Sequence, residues 1–265
     1  MIVVQQSSSA ALRMRIFNAD GSEAEACGNG LRCFTKYAVE RNIASKISRQ
    51  SDTANNGVLP DTICISIETM AGIRNAQAYL TDGVVELVKV SMGVPGFEAY
   101  QIPISATHGS LVSSYKSKIN NNVSTSLLNS ILTIEKKHFK VWTLSMGNPH
   151  AVTFLSEPVS DFPLEKIGPG IENNSLFPKR TNFEIARVLD NKTIEARVWE
   201  RGVGETLACG SGACAIAVAS MIRGYTGHDV DIILSGGTLH INWDGTGEVN
   251  LTGPVKEVFT GKYTI

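Results

Sequence analysis

Two cysteines in this chain stand in matching surroundings. Around Cys27 the sequence reads Glu23-Ala24-Glu25-Ala26-Cys27-Gly28-Asn29-Gly30, and around Cys209 it reads Glu205-Thr206-Leu207-Ala208-Cys209-Gly210-Ser211-Gly212. With the cysteines aligned, the Glu four residues before, the Ala one before, and the Gly one and three after coincide. Each copy runs into a helical pattern, Leu31 to Arg41 and Ala213 to Arg223. A thiol at the mouth of a helix faces backbone N–H groups without intrahelical partners and the positive end of the helix dipole. Glycine beside it lets the backbone approach a ligand, and such a mouth binds anions, a carboxylate among them. It also favours thiolate. A dipole contribution of up to ~2 kcal/mol, at about 1.36 kcal/mol per pKa unit, brings a cysteine from ~8.5 to roughly 7, where it exchanges protons at neutral pH. Two such thiols on opposite faces of one carbon, one entering as thiolate and the other as thiol, can invert it; the reverse reaction swaps their roles. Two helix mouths aimed at a neighbouring carboxylate stabilise the charge that develops as the proton leaves. This chemistry requires neither a pyridoxal group nor a metal, so no cofactor is expected. The spacings Cys27 to Cys33 and Cys209 to Cys214 are not paired C-x-x-C, which argues against zinc. Cys33, Cys64 and Cys214 read as small buried hydrophobes.

Length and composition bound the setting for this chemistry. The chain has 265 residues, enough for two ordinary domains, with a globular balance of 43% hydrophobic and 18% charged residues. A formal net charge of −1 calls for neither nucleic acid nor an anionic membrane surface. Five cysteines are an odd count without disulfide-scaffold spacing, which favours a reducing cytoplasm. Met1–Val4 is too short for the apolar core of a signal peptide, and no apolar run approaches the length of a membrane span.

The elements that must position the thiols are mostly strands. Met1–Val4 reads as a strand tail or core segment; Leu12–Phe17, Thr62–Glu68, Asn75–Leu80 and Val84–Val90 read as strands, with Thr81-Asp82-Gly83 as a hairpin turn. Ser45–Asp61, with Asn55-Asn56-Gly57 inside it, reads as an exposed loop. Gly93–Ser110, with His108, reads as the start of a crossover between domains, and Asn120-Asn121-Asn122 as a short biased patch. Lys140–Leu144 leads as a strand into Met146-Gly147-Asn148-Pro149-His150, and Ala151–Leu155 follows. A short helix is expected over Asp161–Gly168. Strands are expected over Phe183–Val188, Thr193–Trp199, Val230–Leu234, Thr238–Trp243 and Glu248–Thr252. Many strands with two motif-bearing helices predict an α+β architecture with internal duplication. By their types alone His150, Asn18 and Asn182 could be turn residues, and Glu200 with Arg201 an exposed charge pair. Glu23 and Glu205 read as acidic residues serving the helix ends near the dipole.

The chain resembles the diaminopimelate epimerases. The resemblance is carried by Arg15-Ile16-Phe17-Asn18-Ala19-Asp20-Gly21-Ser22, Cys27-Gly28-Asn29-Gly30, Met146-Gly147-Asn148-Pro149-His150, and Glu200-Arg201-Gly202 through Gly204-Glu205-Thr206 to Ala208-Cys209-Gly210-Ser211-Gly212. It implies two similar α/β domains related by a pseudo-two-fold axis, each a curled, mostly antiparallel sheet around a central helix, with the active site in the cleft between them. The domains would be residues 1–108 plus 254–265, and 109–253. It further implies that Cys27 and Cys209 are the catalytic thiols, with His150 and Glu200 flanking and tuning them. Asn18, Asn148, Asn182 and Arg201 would hold the substrate, with Glu200 beside them, and the backbone donors of Gly28, Asn29, Gly210 and Ser211 would grip its reacting carboxylate. The implied reaction is conversion of LL- to meso-diaminopimelate for lysine and peptidoglycan precursors. In the family a segment with Gly-Asn-Asp-Phe and a later Gln precedes the position of Met1, so the resemblance implies either a misassigned start or a shortened first domain. It also implies a homodimer, weakened because Phe259 stands where many members carry Tyr at the dimer contact; Ser48–Pro60 is longer than the family's loop. Two other readings stay open at this point: a related cofactor-independent amino-acid racemase, distinguished by its distal pocket, and a catalytically impaired truncated homologue.

Overall fold

The structure, a computed structural model, describes residues 1–18, 20–24, 27–44, 48–50, 61–105, 113–119 and 123–262. Backbone proximity divides the chain into two units, Met1–Ser91 with Thr252–Ile265, and Met92–Leu251. The expected boundary at residues 108 and 109 lies outside the described residues. So do Asn55-Asn56-Gly57, His108, Asn120-Asn121-Asn122 and Ala19, together with Glu25 and Ala26 of the first thiol motif.

In the first unit β1 (Ile2–Gln5) runs antiparallel to β2 (Leu12–Phe17), and β2 turns back into β3 (Glu23–Ala24) ahead of α1 (Gly28–Glu40). β4 (Ser48–Gln50) is antiparallel to β5 (Asp61–Thr69). β5 lies parallel to β2 and antiparallel to β6 (Gly72–Thr81), which turns into β7 (Val84–Ser91). The β6–β7 turn is the expected one. Asp82 at φ 51° and Gly83 at φ 79° both take the left-handed conformation that a two-residue hairpin turn matching the strand twist requires. β5 alternates with period two, burying Ile63, Ile65 and Ile67 on one face. α1 lays Leu31, Phe34, Ala38 and Val39 inward and packs on β6 and β7. Lys36 shares that buried side because its ammonium donates to Glu40 Oε1 (2.6 Å) and to the Val85 carbonyl (2.8 Å). Cys33 corrects an expectation. It is exposed, since it falls with Tyr37 and Glu40 on the outward face of this amphipathic helix. Cys64 is half-buried and Cys214 buried.

The second unit contains β8 (Ser113–Ile119), β9 (Val123–Ile134), β10 (Lys137–Ser145) and β11 (Pro149–Phe154), each antiparallel to the one before. A 3-10 turn at Val159–Asp161 and α2 (Leu164–Glu172) follow, and then β12 (Asn182–Val188), parallel to β11. β13 (Thr193–Glu200) is antiparallel to β12 and to β14 (Gly204–Thr206). α3 (Gly210–Ile222), β15 (Asp229–Leu234), β16 (Gly237–Asn242) and β17 (Asn250–Pro254) complete it, with β17 pairing with β7 as the chain returns to the first unit. From Gly212 to Ile222 every residue of α3 is buried. Its Ala-Cys-Ala-Ile-Ala-Val-Ala-Ser stretch is apolar and small on all sides, the pattern of a helix enclosed by sheet, here by β10, β11, β12, β15 and β16. α2 sits so close to β13 that a Cβ on Gly168 would stand 2.5 Å from the Trp199 indole. The β8–β9 pair has no counterpart in the sequence reading, because its Ser-, Thr- and Lys-rich strands lack apolar alternation. Among the described residues no helix is long and apolar enough to cross a membrane.

The duplication reaches well past the cysteine motif. β2 pairs Ile16 with Ala24 and Phe17 with Glu23; β13 pairs Val198 with Thr206 and Trp199 with Glu205, the same positions 182 residues on. Both motif helices have 13 residues. Each hairpin strand has a parallel neighbour after its helix, Leu12 opposite Ile67 and Ile194 opposite Ile232. Each hairpin is clamped by a two-pronged ion pair, Arg15 to Glu23 (2.9 and 2.7 Å) and Arg197 to Glu205 (2.7 and 2.9 Å). Glu23 and Glu205 thus act at the hairpins that lead into α1 and α3, through their arginines, while the first turns themselves contain no acidic residue. The Arg15 guanidinium holds the Glu23 carboxyl below the usual carboxylate range.

Candidate active site

Both cysteines cap their helices with extended backbone, Cys27 at φ −148° and ψ 117°, Cys209 at φ −121° and ψ 116°. This is the conformation in which a Ser, Thr or Asp oxygen ordinarily accepts a first-turn N–H. The Cys27 sulfur takes that place, accepting from Gly30 N at 3.4 Å. The Cys209 sulfur has the Ser211 hydroxyl at 3.6 Å. The glycine three residues on leaves little room for a side chain in both copies. A Cβ on Gly30 would meet Ile2 at 3.2 Å, and one on Gly212 would meet Glu184 Oε1 at 3.2 Å and Val198 at 3.3 Å.

The two thiols differ in their surroundings. Cys27 is exposed, whereas Cys209 is 6% exposed. Burial pushes the Cys209 thiol far above the ordinary range, and the charges of Glu200 and Glu184 push it further; the Ser211 hydroxyl and the Gly212 N–H oppose the shift without reversing it. The lowering expected at a helix mouth is therefore not obtained at Cys209, where desolvation outweighs the dipole, and the resting species at neutral pH is the thiol. The consequence for stability has a definite sign. The folded pKa is raised above the unfolded value of ~8.5, so the stabilisation is complete below that pH and is lost as the pH rises above it. Urea unfolding at successive pH values should show wild type losing up to about 1.4 kcal/mol per pH unit more than Cys209→Ala above pH ~8.5.

A polar cluster in the second unit surrounds Cys209. The parallel pairing of β11 and β12 places His150 opposite Asn182. His150 is fully buried, with Nδ1 2.6 Å from Glu184 Oε1 and Nε2 2.9 Å from Asn148 Oδ1. Asn148 Nδ2 lies 3.5 Å from Ser211 Oγ. Asn182, also buried, donates to the Pro149 carbonyl (2.9 Å) and accepts the Arg201 N–H (2.9 Å), so it ties the start of β11 to the turn that carries Arg201. Glu200, at the end of β13, accepts from the Thr206 hydroxyl, and the Arg201 guanidinium reaches the Lys179 carbonyl at 3.2 Å. Asn148, His150, Ser211 and Cys209 thus form one chain of contacts, with Glu200 near enough to act on the sulfur's charge and Gly210 opening the helix. In the first unit Gly28 and the half-buried Asn29 form the first turn of α1. Asn18 is exposed and holds its own turn, its N–H donating to the Ser22 carbonyl (2.8 Å) and its amide to the Ser22 hydroxyl (3.0 Å).

Sequence reasoning missed two carboxylates here. Glu184 had a signal, as a lone acid in the apolar strand Asn182–Val188, two residues beyond Asn182 and hence on the same face. Glu172 had none. It ends α2, buried, and accepts from Trp199 Nε1 (2.8 Å), Arg180 (3.0 Å) and the Gly202 N–H (2.8 Å). It fixes the Glu200–Gly202 turn from behind.

The family described as diaminopimelate epimerase matches residues 1–97 and 142–258. Curated relatives named diaminopimelate epimerase include those of Acetivibrio thermocellus (40% identical over 263 residues, 99% of this chain and 82% of that protein) and Desulfovibrio desulfuricans (40% over 266 residues, 100% and 83%). Another is that of Methanococcus maripaludis strain C5 (39% over 267 residues, 100% and 84%). Among solved structures, a probable proline racemase from Agrobacterium radiobacter K84 is 14% identical with a TM-score of 0.62, covering 96% of this chain and 72% of that one. A hydroxyproline epimerase from Agrobacterium vitis is 12% identical with a TM-score of 0.62, covering 96% and 70%. These two share the fold, an α+β architecture. From its doubled Cys-Gly-x-Gly caps to its match with the family along most of its length, the chain belongs to the diaminopimelate epimerase family.

Proposed function

We propose that this protein is an isomerase that epimerises LL-2,6-diaminopimelate to the meso form, supplying lysine and peptidoglycan precursor synthesis. The observation that carries the reading is the pair of cysteine N-caps with matching backbone, in a chain about 40% identical to curated diaminopimelate epimerases. Cys27 and Cys209 act on one α-carbon: a thiolate removes its proton and the other thiol delivers one to the opposite face. The N–H groups of Gly28, Asn29, Gly210 and Ser211 receive the charge that develops on the α-carboxylate. Glu200 and His150 set the protonation of Cys209. Asn18, Asn148 and Arg201 hold the far end of the substrate, and Asn182 acts with them by fixing the Arg201 turn. The protein works in the cytoplasm as a homodimer; Val258 and Phe259, both 86% exposed in the single chain, supply an apolar contact for the second copy. Incubation of the purified protein with LL-diaminopimelate, resolved by chiral chromatography, should yield the meso isomer, and added hydroxylamine, which traps pyridoxal, should leave the rate unchanged. Racemisation of proline or hydroxyproline with no turnover of diaminopimelate would overturn the reading.

A further inference from the structure

β12 carries a carboxylate that the chemistry above does not use. Glu184 is fully buried, its Oε1 2.6 Å from His150 Nδ1 and 3.2 Å from where a Cβ on Gly212 would stand. From His150 a line of side chains runs to the sulfur: Nε2 to Asn148 Oδ1 at 2.9 Å, Asn148 Nδ2 to Ser211 Oγ at 3.5 Å, and Ser211 Oγ to Cys209 Sγ at 3.6 Å.

The line has a direction. The Asn148 carbonyl oxygen only accepts, so His150 Nε2 carries a proton. A second proton lies between Nδ1 and Glu184 Oε1, on an imidazolium beside a carboxylate or on a carboxylic acid beside a neutral ring. Either way the buried pair is neutral overall. The reverse orientation of the Asn148 amide would put the ring proton on Nδ1. Glu184 would then be either ionised, a net negative charge at full burial that desolvation and the charge of Glu200 disfavour, or protonated on Oε2, which is buried and has no hydrogen-bond partner among the described residues. With the amide as it stands, Asn148 donates to Ser211 Oγ, and the Ser211 hydroxyl hydrogen is left for Cys209.

We propose that Glu184 is a positioning residue for the thiol chemistry: by keeping a proton on His150 Nε2 it turns Asn148 and Ser211 so that the Ser211 hydroxyl donates to the Cys209 sulfur and supports its thiolate. The inference rests on Cys209 acting as an acid–base group.

The first test uses wild-type protein labelled with 15N-histidine, the His150 signals being assigned by their loss in His150→Gln. Nε2 should be protonated throughout the neutral range. Glu184→Met, which offers Nδ1 nothing, should lower kcat about tenfold with KM within about twofold of wild type. Glu184→Gln, whose amide N–H can donate to Nδ1 and keep Nε2 protonated, should restore most of that rate. An unprotonated Nε2 in wild type, a Glu184→Met enzyme with wild-type kcat, or a Glu184→Gln enzyme as impaired as Glu184→Met would each overturn the proposal. If Glu184→Met does not fold, the wild-type spectrum and Glu184→Gln decide. A fully active Cys209→Ala enzyme with the expected His150 spectrum would instead overturn the two-thiol function and leave the hydrogen-bond line standing.

Discussion

Cys209→Ala lowers kcat for conversion of LL- to meso-diaminopimelate by at least about 10³-fold, within the span that a single positioned acid or base contributes. The loss is chemical. The Cys209 side chain makes no capping hydrogen bond in α3, so the variant gives up little of the ~1 kcal/mol that a lost N-cap usually costs. Cys209→Ser should be almost as impaired. A hydroxyl keeps the shape of the cap, but it is a far weaker acid than a thiol and cannot release its proton to a carbanion at a useful rate. Steady-state kinetics in both directions, beside thermal melting, check this. A variant with reduced melting temperature and intact kcat would assign Cys209 a packing role only.

Glu172→Leu destabilises the protein by roughly 2–4 kcal/mol, the range for stranding buried donors without an acceptor. Trp199 Nε1 and the Gly202 N–H both lose their partner, whereas Arg180, largely in solvent, can rehydrate. Function should change in a characteristic way. Glu172 touches neither cysteine, but it holds the turn on which Glu200 and Arg201 stand, so KM for diaminopimelate should rise more than kcat falls. Glu172→Gln should be intermediate, because its amide offers a second donor where the Trp199 indole needs an acceptor. Urea titration with substrate-dependence measurements separates the stability effect from the loss of substrate grip.

The strands that carry the site were legible wherever one face is buried and the other is not. β5 alternates, and the Asp82-Gly83 turn between β6 and β7 has the residue types that its left-handed backbone demands. The β9–β10 turn has the same left-handed geometry at Glu135 (φ 49°) and Lys136 (φ 65°). Neither residue type signals it, and the hairpin was not anticipated. The thiol motif was legible because Cys-Gly-x-Gly repeats. The Arg15 and Arg197 clamps repeat at the same 182-residue spacing, but they sit eight residues before their glutamates, outside the window in which the copies look alike. The protonation state of Cys209 was not legible. A helix mouth alone predicts a lowered thiol, and the opposite shift arises from burial and from Glu200 and Glu184, two of the terms that only the folded chain brings together. Glu172 belongs to the same class, since its partners, Arg180 on one side and Trp199 with Gly202 on the other, come from two stretches outside its own helix.

The two-thiol account is tested most directly by epimerisation in heavy water, with LL-diaminopimelate sampled before equilibrium. Each thiol exchanges its hydrogen with solvent, and the thiol that delivers is not the thiolate that removed. The account therefore predicts that newly formed meso isomer carries deuterium at the inverted carbon while unconverted LL substrate at the same early time carries almost none. Meso product that retains the original α-hydrogen would contradict it, because a single base would then be returning the proton it took.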